Sequence, residues 1–447
     1  MNTPTGSGTT LQISTDNAFV DIINDNEGDI YRTSQTFAKD DLPYGVTLYA
    51  RVRHASLALG NSKWSEVISF QVAIPSNVIG VCLDNSDSTK RGTTNWIDAK
   101  GNKLTSFNYQ NHPTYAGASI VIDDASRGDP VYLLKIPRFY IKTSASGPVG
   151  TFAANKKCWW ISDVYLKGFR PHAAFKRNSA GVISDYMYVG QYLGHAATVG
   201  GKTCLGSNKN KTVKADTDTP TFRTYITNRN NSSAGVSGYR MYDIWDRGAL
   251  MMLSLIAKNS FDSQSAWGTN SAGTQQPATG STNARMVFKG TVSSPQVSFE
   301  DGWHCYWYNC DLITLADMTG VPTLKSPTDL TTVLSFGSAA ASRYTLPHVS
   351  SGYPDAWIRD WLDCPITIGS DTHDLLEIFL PGVVTSDESL ASSYDHYWYG
   401  DWSNGFPKVM YAGAGWGDGL RAGLGTLTSL NGAADTAWHI GARVAKN

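Results

Sequence analysis

The chain has 447 residues, 41% hydrophobic and only 17% charged, with a formal net charge of -1. That length allows two to four domains, and the near-zero, interspersed charge gives no electrostatic footprint for DNA, RNA or an anionic membrane surface. The charge an average protein would carry is replaced by 42 Gly, 22 Tyr and 14 Trp. Such a composition leans toward strands and long ordered loops and away from helical bundles.

The opening Met1-Asn-Thr-Pro-Thr-Gly is polar with no apolar stretch behind it, so no secretory signal is expected. No window reads as a membrane-spanning helix, so membrane insertion is not expected. The six cysteines (82, 158, 204, 305, 310 and 364) are widely spread and read as mostly reduced. Cys305 and Cys310 form the one close pair. Their spacing lacks the second pair or His doublet of a zinc site.

Residues 1–76 read as an antiparallel β module. Val46–Arg53 alternates with Leu48, Ala50 and Val52 on one face, and Trp64–Val72 alternates with Ile68, Phe70 and Val72. Gly60-Asn61 supplies turn chemistry between them. Ile74-Pro-Ser-Asn77 reads as a linker. Residues 77–150 form a β-rich connecting region with strands near 78–83, 119–122 and 131–141, the last interrupted at Pro137. The remaining residues, 151–447, form the third and largest region.

The clearest helix spans Asp243 to Ser260, with Trp245, Ala249, Met252, Leu253 and Ile256 on one face. Asp243 is its N-cap, and Asp246 favours the helix dipole. Residues 262–300, rich in Ser, Gly, Thr and Gln, read as a long ordered loop. An aromatic knot follows from Phe299 to Cys310, and the last fifty-odd residues hold a second: Tyr394-Asp-His-Tyr-Trp-Tyr-Gly-Asp-Trp, then Tyr411 to Arg421, then Trp438 to Val444. Successive side chains on a strand face opposite ways, so the run Tyr397-Trp398-Tyr399 is expected to expose at least one ring or to lie in an irregular loop. Rings mixed with Ser, Asn, Asp and Gly suit a contact surface.

Two segments carry a resemblance. Residues 1–76 look like the later half of a fibronectin type III module. The first strands seem to be missing before Leu11, which implies either a shortened chain or a fold completed by something else. From residue 78 onward, the motif order resembles the C-terminal receptor-binding region of phage tail fibre proteins. The motifs are Lys135-Ile-Pro-Arg-Phe-Tyr140, Lys167-Gly-Phe-Arg-Pro-His172 with Phe175, Tyr186-Met-Tyr-Val-Gly190, and Gly238-Tyr239 before the helix. Ser263-Gln264, Trp267-Gly268, Glu300 with Trp303 and Trp307, and the closing Gly-Ala-Arg-Val follow.

That resemblance implies a mainly β chain: a fibronectin-like β-sandwich, then an α+β tip with a C-type-lectin-like fold, similar to major tropism determinants and formylglycine-generating enzymes. It implies a virion-borne adhesin, commonly a homotrimer, that joins other tail proteins through its N-terminal side and meets a host-surface receptor with its tip. It also sorts the C-terminal residues. Gly413, Gly415, Trp416, Gly423, Trp438, Gly441 and Arg443 would be scaffold. Tyr394, His396, Tyr397, Tyr399, Asp401, Tyr411, Asp418 and Arg421 would form the receptor-binding face.

Neither cofactor nor metal is expected. The Glu-Pro-Asn, Gln-Pro-Asp and Trp-Asn-Asp ligands of calcium-dependent lectins are missing, since Gln276-Pro277 runs into Ala278. The acidic pairs Asp123-Asp124 and Asp216/Asp218 read as surface loops. Thr198-Val-Gly-Gly-Lys-Thr203 falls short of a phosphate loop, because Ala196 stands where the first glycine is needed. Cys305 and Cys310 match the copper-binding pair of formylglycine-generating enzymes in spacing but lie too far from Asn447. No catalytic residue is assigned. The alternative is a tail-associated glycan hydrolase working through two carboxylates, with Asp355, Asp360, Asp363 and Glu377 as candidates.

Overall fold

A computed structural model describes residues 7–29, 34–35, 37, 42–43, 46–56, 59–73, 77–145, 156–177, 182–269, 278–303, 305–334, 336, 345–348, 355–391, 395–399 and 405–447. The fold is mainly β. It divides into two compact units: residues up to Val78 with Val164–Arg170, and Ile79–Asp163 with Pro171–Asn447.

The first unit holds a four-stranded antiparallel sheet, ordered Ile22–Asp29, Ser7–Ser14, Thr47–Ser56 and Ile68–Gln71. Ser7–Ser14, where no early strand was expected, is central and pairs on both sides. One face carries Ile13, Leu48 and Ala50, all buried. The other is polar, with the Trp64 ring beneath the Arg51 and Arg53 guanidinium groups at 4.4 Å each.

In the second unit, Val131–Pro137 and Tyr140–Ser144 form two strands rather than one, because Pro137 cannot continue the ladder. They join different sheets. Tyr140–Ser144 pairs with Lys157–Ser162, which pairs with Ile79–Asp84 and then Thr93–Ile97. Val131–Pro137 lies in a sheet ordered Tyr239–Met241, Val444–Lys446, Tyr186–Gly190, Val131–Pro137 and Ser119–Asp123. Strands from 79–144 therefore share a sheet with strands as distant as 444–446. Cys82 and Cys158 stand opposite each other in this ladder, with Cα atoms 4.1 Å apart, and form a disulfide. The other four cysteines are buried thiols.

The helix runs Ile244–Lys258, with Asp243 as N-cap. The Asp243 carboxylate accepts from Trp245 N at 2.9 Å and Asp246 N at 3.1 Å. One apolar face was expected, yet every residue from 244 to 257 is buried. The helix is threaded through the core, so even its charges must be paired inside. Arg177 and Arg240 both reach Asp243 and Asp246. Arg247 donates to the carbonyls of Ile378 at 2.8 Å and Gly425 at 2.6 Å.

The expected loop over 262–300 is more ordered than its composition suggests. It contains a short helix, Ser263–Trp267, and a hairpin of Arg285–Gly290 with Pro295–Glu300. The apolar Met286, Val287, Phe288 and Phe299 bury that hairpin.

The largest sheet supports the C-terminal residues. Its order is Pro322–Leu324, Trp307–Leu315, Lys408–Gly413, Leu427–Thr428, His396–Trp398, Asp355–Trp361 and Pro381–Thr385, with Ile440–Gly441 alongside Trp307 in parallel. Arg443, fully buried, fastens the chain end. It donates to the carbonyls of Gly190 at 2.8 Å and of Glu300 and Asp301 at 2.9 Å.

Candidate functional site

The large sheet is covered on both faces where it meets the C-terminal residues. One face carries Tyr397, Met410 and Ala412 into the main core. The other carries Trp307, Val409 and Tyr411 into a second, smaller core roofed by Ala414, Ala422 and Ile440, with Trp398, Ala433 and Ala437 at its margin. That second core decides where the expected contact residues go.

Tyr397 is 0% exposed, Tyr411 1% and His396 4%. Their expected place on an outer face is overturned: alternation sends side chains to opposite sides of a strand, but here both sides are roofed. The Tyr397 hydroxyl is 2.7 Å from Ser429 Oγ. Burial pushes the Tyr411 phenol up to about 12. His396 sits 3.8 Å, ring to ring, from Trp357 and 5.2 Å from Trp398. Burial holds its imidazole down to about 4, against the opposing pull of Asp355. Tyr394 and Asp401 lie outside the described residues.

The remaining three do reach the surface. Arg421 is exposed and pairs with Asp355 at 2.7 Å, while His396 Nδ1 lies 3.3 Å from the same carboxylate. Asp418 is half-buried, and one of its oxygens accepts from Gly415 N at 2.7 Å. Burial raises the Asp418 carboxyl, countered by that hydrogen bond and by Arg421. Tyr399 is half-buried and stacks on Tyr397 at 5.5 Å. His396, Tyr399, Asp418 and Arg421 therefore all interact with Asp355 or its ion pair.

Trp438 departs most from expectation. Assigned to the scaffold, it is 61% exposed. It closes a stair of rings that rises from the core: Tyr306 to Trp416 at 5.1 Å, Trp416 to Trp438 at 4.3 Å, Trp438 to His439 at 4.7 Å. Leu420, 71% exposed, adds an apolar group beside Arg421 in sequence. No sequence signal marked Trp438 as exposed, because Trp-His-Ile-Gly reads like any strand entry. Gly413, Gly415, Gly423, Gly441 and Arg443 are buried. Gly423 and Gly425 lie so close to the Asp395 carboxylate that no Cβ would fit at either.

The segment bearing Trp438 is held by backbone. Asp216 N donates to Ala437 O at 3.0 Å, Thr219 N to Ala433 O at 3.1 Å and Val409 N to Asn431 O at 2.9 Å. Beside it opens a cavity of about 770 Å³, lined by Gly405, Pro407, Asn431, Gly432, Asp435 and His439 among others.

The carboxylates considered for hydrolysis meet separate partners: Asp355 has Arg421, Asp360 has Lys157 at 2.9 Å, and Glu377 has His373 at 2.9 Å. Among the described residues, no group of three or more His, Cys, Asp or Glu side chains is placed to hold a metal. Asp123 pairs with Lys446 and Asp124 with Arg229, and Asp218 caps the helix Thr219–Thr227. No described helix is long and apolar enough to cross a membrane.

No protein-family model matches the chain. No curated protein matches it. Among solved structures it is similar to the Major Tropism Determinant I1 variant, at 11% identity and a TM-score of 0.25, over 93% of this chain and 82% of that one. At that score the likeness carries no inference about fold or function.

Proposed function

We propose that this chain is a receptor-binding protein of a phage tail fibre, attaching the virion to a host-surface receptor through the outer edge of its C-terminal region. The observation that carries this reading is the exposed Trp438 beside Trp416, with Leu420 and Arg421 exposed on a neighbouring loop of a backbone-pinned scaffold. Trp and Arg are the side chains enriched in binding hot spots, and a stiff frame lowers the cost of ordering them on binding. The motif order from residue 135 to residue 444 supports the same reading.

In this reading the tip has a C-type-lectin-like fold. The N-terminal β module, fibronectin type III-like, joins other tail proteins. A homotrimer raises avidity through effective concentration. The contacts involve neither nucleic acid nor membrane insertion, and the attachment role needs no catalysis. Adsorption of the purified chain to host cells tests it. Trp438→Ala and Arg421→Ala should each reduce adsorption at unchanged fold, and full adsorption by the double variant would refute the assigned edge.

One observation favours a second reading, a tail-associated glycan hydrolase. Asp418, its carboxyl raised by burial, and Asp355, paired with Arg421, interact with the same guanidinium, an asymmetry that suits an acid and a base. Reducing ends released from host envelope polysaccharide, and lost in Asp418→Asn, would establish it. Intact polymer with retained cell binding would exclude it.

A further inference from the structure

The attachment reading leaves open what chemistry the receptor presents. We propose that a small cavity lined by Arg223, Arg240 and Lys325 is a carboxylate subsite that takes the acidic group of a sugar acid on a host-surface glycan. This rests on the attachment reading and gives it a ligand class.

The cavity has a volume of about 260 Å³, room for one acidic group and part of its ring rather than for a whole glycan. Its charge is positive. Three cations, Arg223, Arg240 and Lys325, meet two carboxylates, Asp243 and Asp311. Arg177 and Asp246, outside the lining, offset each other. One positive charge is left over, which suits a monoanion.

The three cations are not equally free. Arg240 is buried and committed: it pairs with Asp243 and Asp246, and its Nε donates to Asn447 Oδ1 at 2.8 Å. Arg223 is exposed, and its Nε and Nη2 donate to the two oxygens of Asp311 at 3.1 and 2.6 Å. That grip uses one edge of the guanidinium. The other edge, formed by Nη1 and Nη2, has no partner among the described residues, and its planar fork of N–H groups matches the two oxygens of a carboxylate. Lys325 is exposed, and its ammonium has no partner among those residues. Residues 330–354 contain neither Asp nor Glu to offset it.

The backbone is shaped around these groups. Trp307–Leu315 shifts register against Lys408–Gly413 between Cys310 and Thr314, and Asp311 lies in that irregularity, where its side chain meets Arg223. Leu312 and Leu330, both lining the cavity, hold left-handed backbone at φ 66° and 64°. Leucine rarely adopts that conformation, and such residues gather where ligands are held. Lys325 N donates to Leu312 O at 2.9 Å, and Trp245 Nε1 donates to Lys325 O at 3.1 Å, so the lysine's backbone is fixed before a ligand arrives. Arg223 stands on the helix Thr219–Thr227, whose first residue also holds Ala433 O in the segment that bears Trp438.

The chemistry is selective. Met241 and Leu312 are almost wholly buried, so the cavity offers charge and little apolar area, and a peptide terminus held by an apolar side chain gains little there. A phosphate dianion would bring two negative charges where the described residues leave one positive. A carboxylate on a polyhydroxy ring supplies the single charge, and the ring's hydroxyls stay in water.

The experiment is saturation-transfer NMR on the full chain with the methyl glycosides of glucuronic acid and N-acetylneuraminic acid, run beside cell adsorption, with methyl glucoside and N-acetylalanine as controls. Saturation should pass to at least one sugar acid and to neither control. It should fall at least tenfold in Arg223→Gln and several-fold in Lys325→Gln, while Lys325→Arg retains most of it. The Lys325 ammonium has no partner to lose, so Lys325→Gln tests the charge with the fold intact. No transfer to either acid, equal transfer to methyl glucoside, or transfer undiminished in both Gln variants overturns the subsite. Transfer to N-acetylalanine in place of the sugar acids ends the glycan assignment. Two mixed outcomes separate the claims. A chain that adsorbs to host cells but binds neither acid leaves attachment standing and ends the subsite. Acid binding that depends on Arg223 and Lys325, in a chain that adsorbs to no host cell, supports the subsite and removes the attachment reading.

Discussion

Tyr397 and Trp438 make an instructive pair. Both are large rings in the same aromatic-rich tail. One is fully buried and the other is 61% exposed. Tyr397 lies on a strand flanked by Asp355–Trp361 and Leu427–Thr428, in a sheet with a core on each face. Trp438 lies on a backbone-pinned turn just before Ile440–Gly441. Position in the sheet, not residue type, separates packing from contact. The tail is thus a buried frame of strands carrying a thin outer edge of loop residues.

The sharpest way to break that division is to truncate the buried rings. Tyr397→Ala and Tyr411→Ala should each cost about 3–5 kcal/mol in a denaturant titration, as aromatic truncations in a core do. Any loss of adsorption they cause should track unfolding. If either variant kept wild-type stability, the second core would be misassigned.

Next in size is Arg443. Its guanidinium bonds three buried carbonyls, a geometry the single ammonium of Lys cannot reproduce. Arg443→Lys should destabilise by about 2–4 kcal/mol, since buried acceptors lose charge-assisted bonds. A melting temperature unchanged from wild type would contradict the staple.

His396 gives a pH signature. Its folded pKa, about 4, lies below the unfolded value of 6.5, so the unfolded chain binds more protons between those values. The contribution is complete above pH 6.5 and disappears as pH falls toward 4. Its size is at most about 3 kcal/mol by linkage. Asp418, raised by burial, has the opposite sign: its contribution is complete below the usual carboxylate range and is lost as pH rises above it. His396→Gln should flatten the stability slope between pH 6.5 and 4.5. A slope equal to wild type would place the titration elsewhere.

The smallest stability effect belongs to the outer edge. Trp438→Ala removes a mostly solvated ring and one aromatic contact, so it should cost only about 1 kcal/mol.

Much of the frame was legible in the sequence. Asp243 followed by Trp245 and Asp246 announced a capped helix, and Pro137 announced the break between strands. The helix's burial on all sides was not legible, because periodicity shows the strongest face and says nothing about what covers the others. Likewise, alternation at Tyr397-Trp398-Tyr399 correctly implies two faces, but only the tertiary structure shows that the 414–440 segment roofs one of them. The central strand Ser7–Ser14 was missed because Ser-Gly-Thr-Thr has the composition of a loop. The exposure of Trp438 had no local signal, since it depends on backbone bonds to residues 216 and 219. The cluster of His396, Asp418 and Arg421 around Asp355 was half visible: three members were singled out as contact residues, but their shared carboxylate was considered only for catalysis.

The central claim, that the outer edge binds while the strands beneath only support it, is tested most directly by one paired measurement on Trp438→Ala: thermal melting and host-cell adsorption of the same preparation. Melting within a few degrees of wild type together with lost adsorption is the predicted result. Undiminished adsorption at the same stability would contradict it.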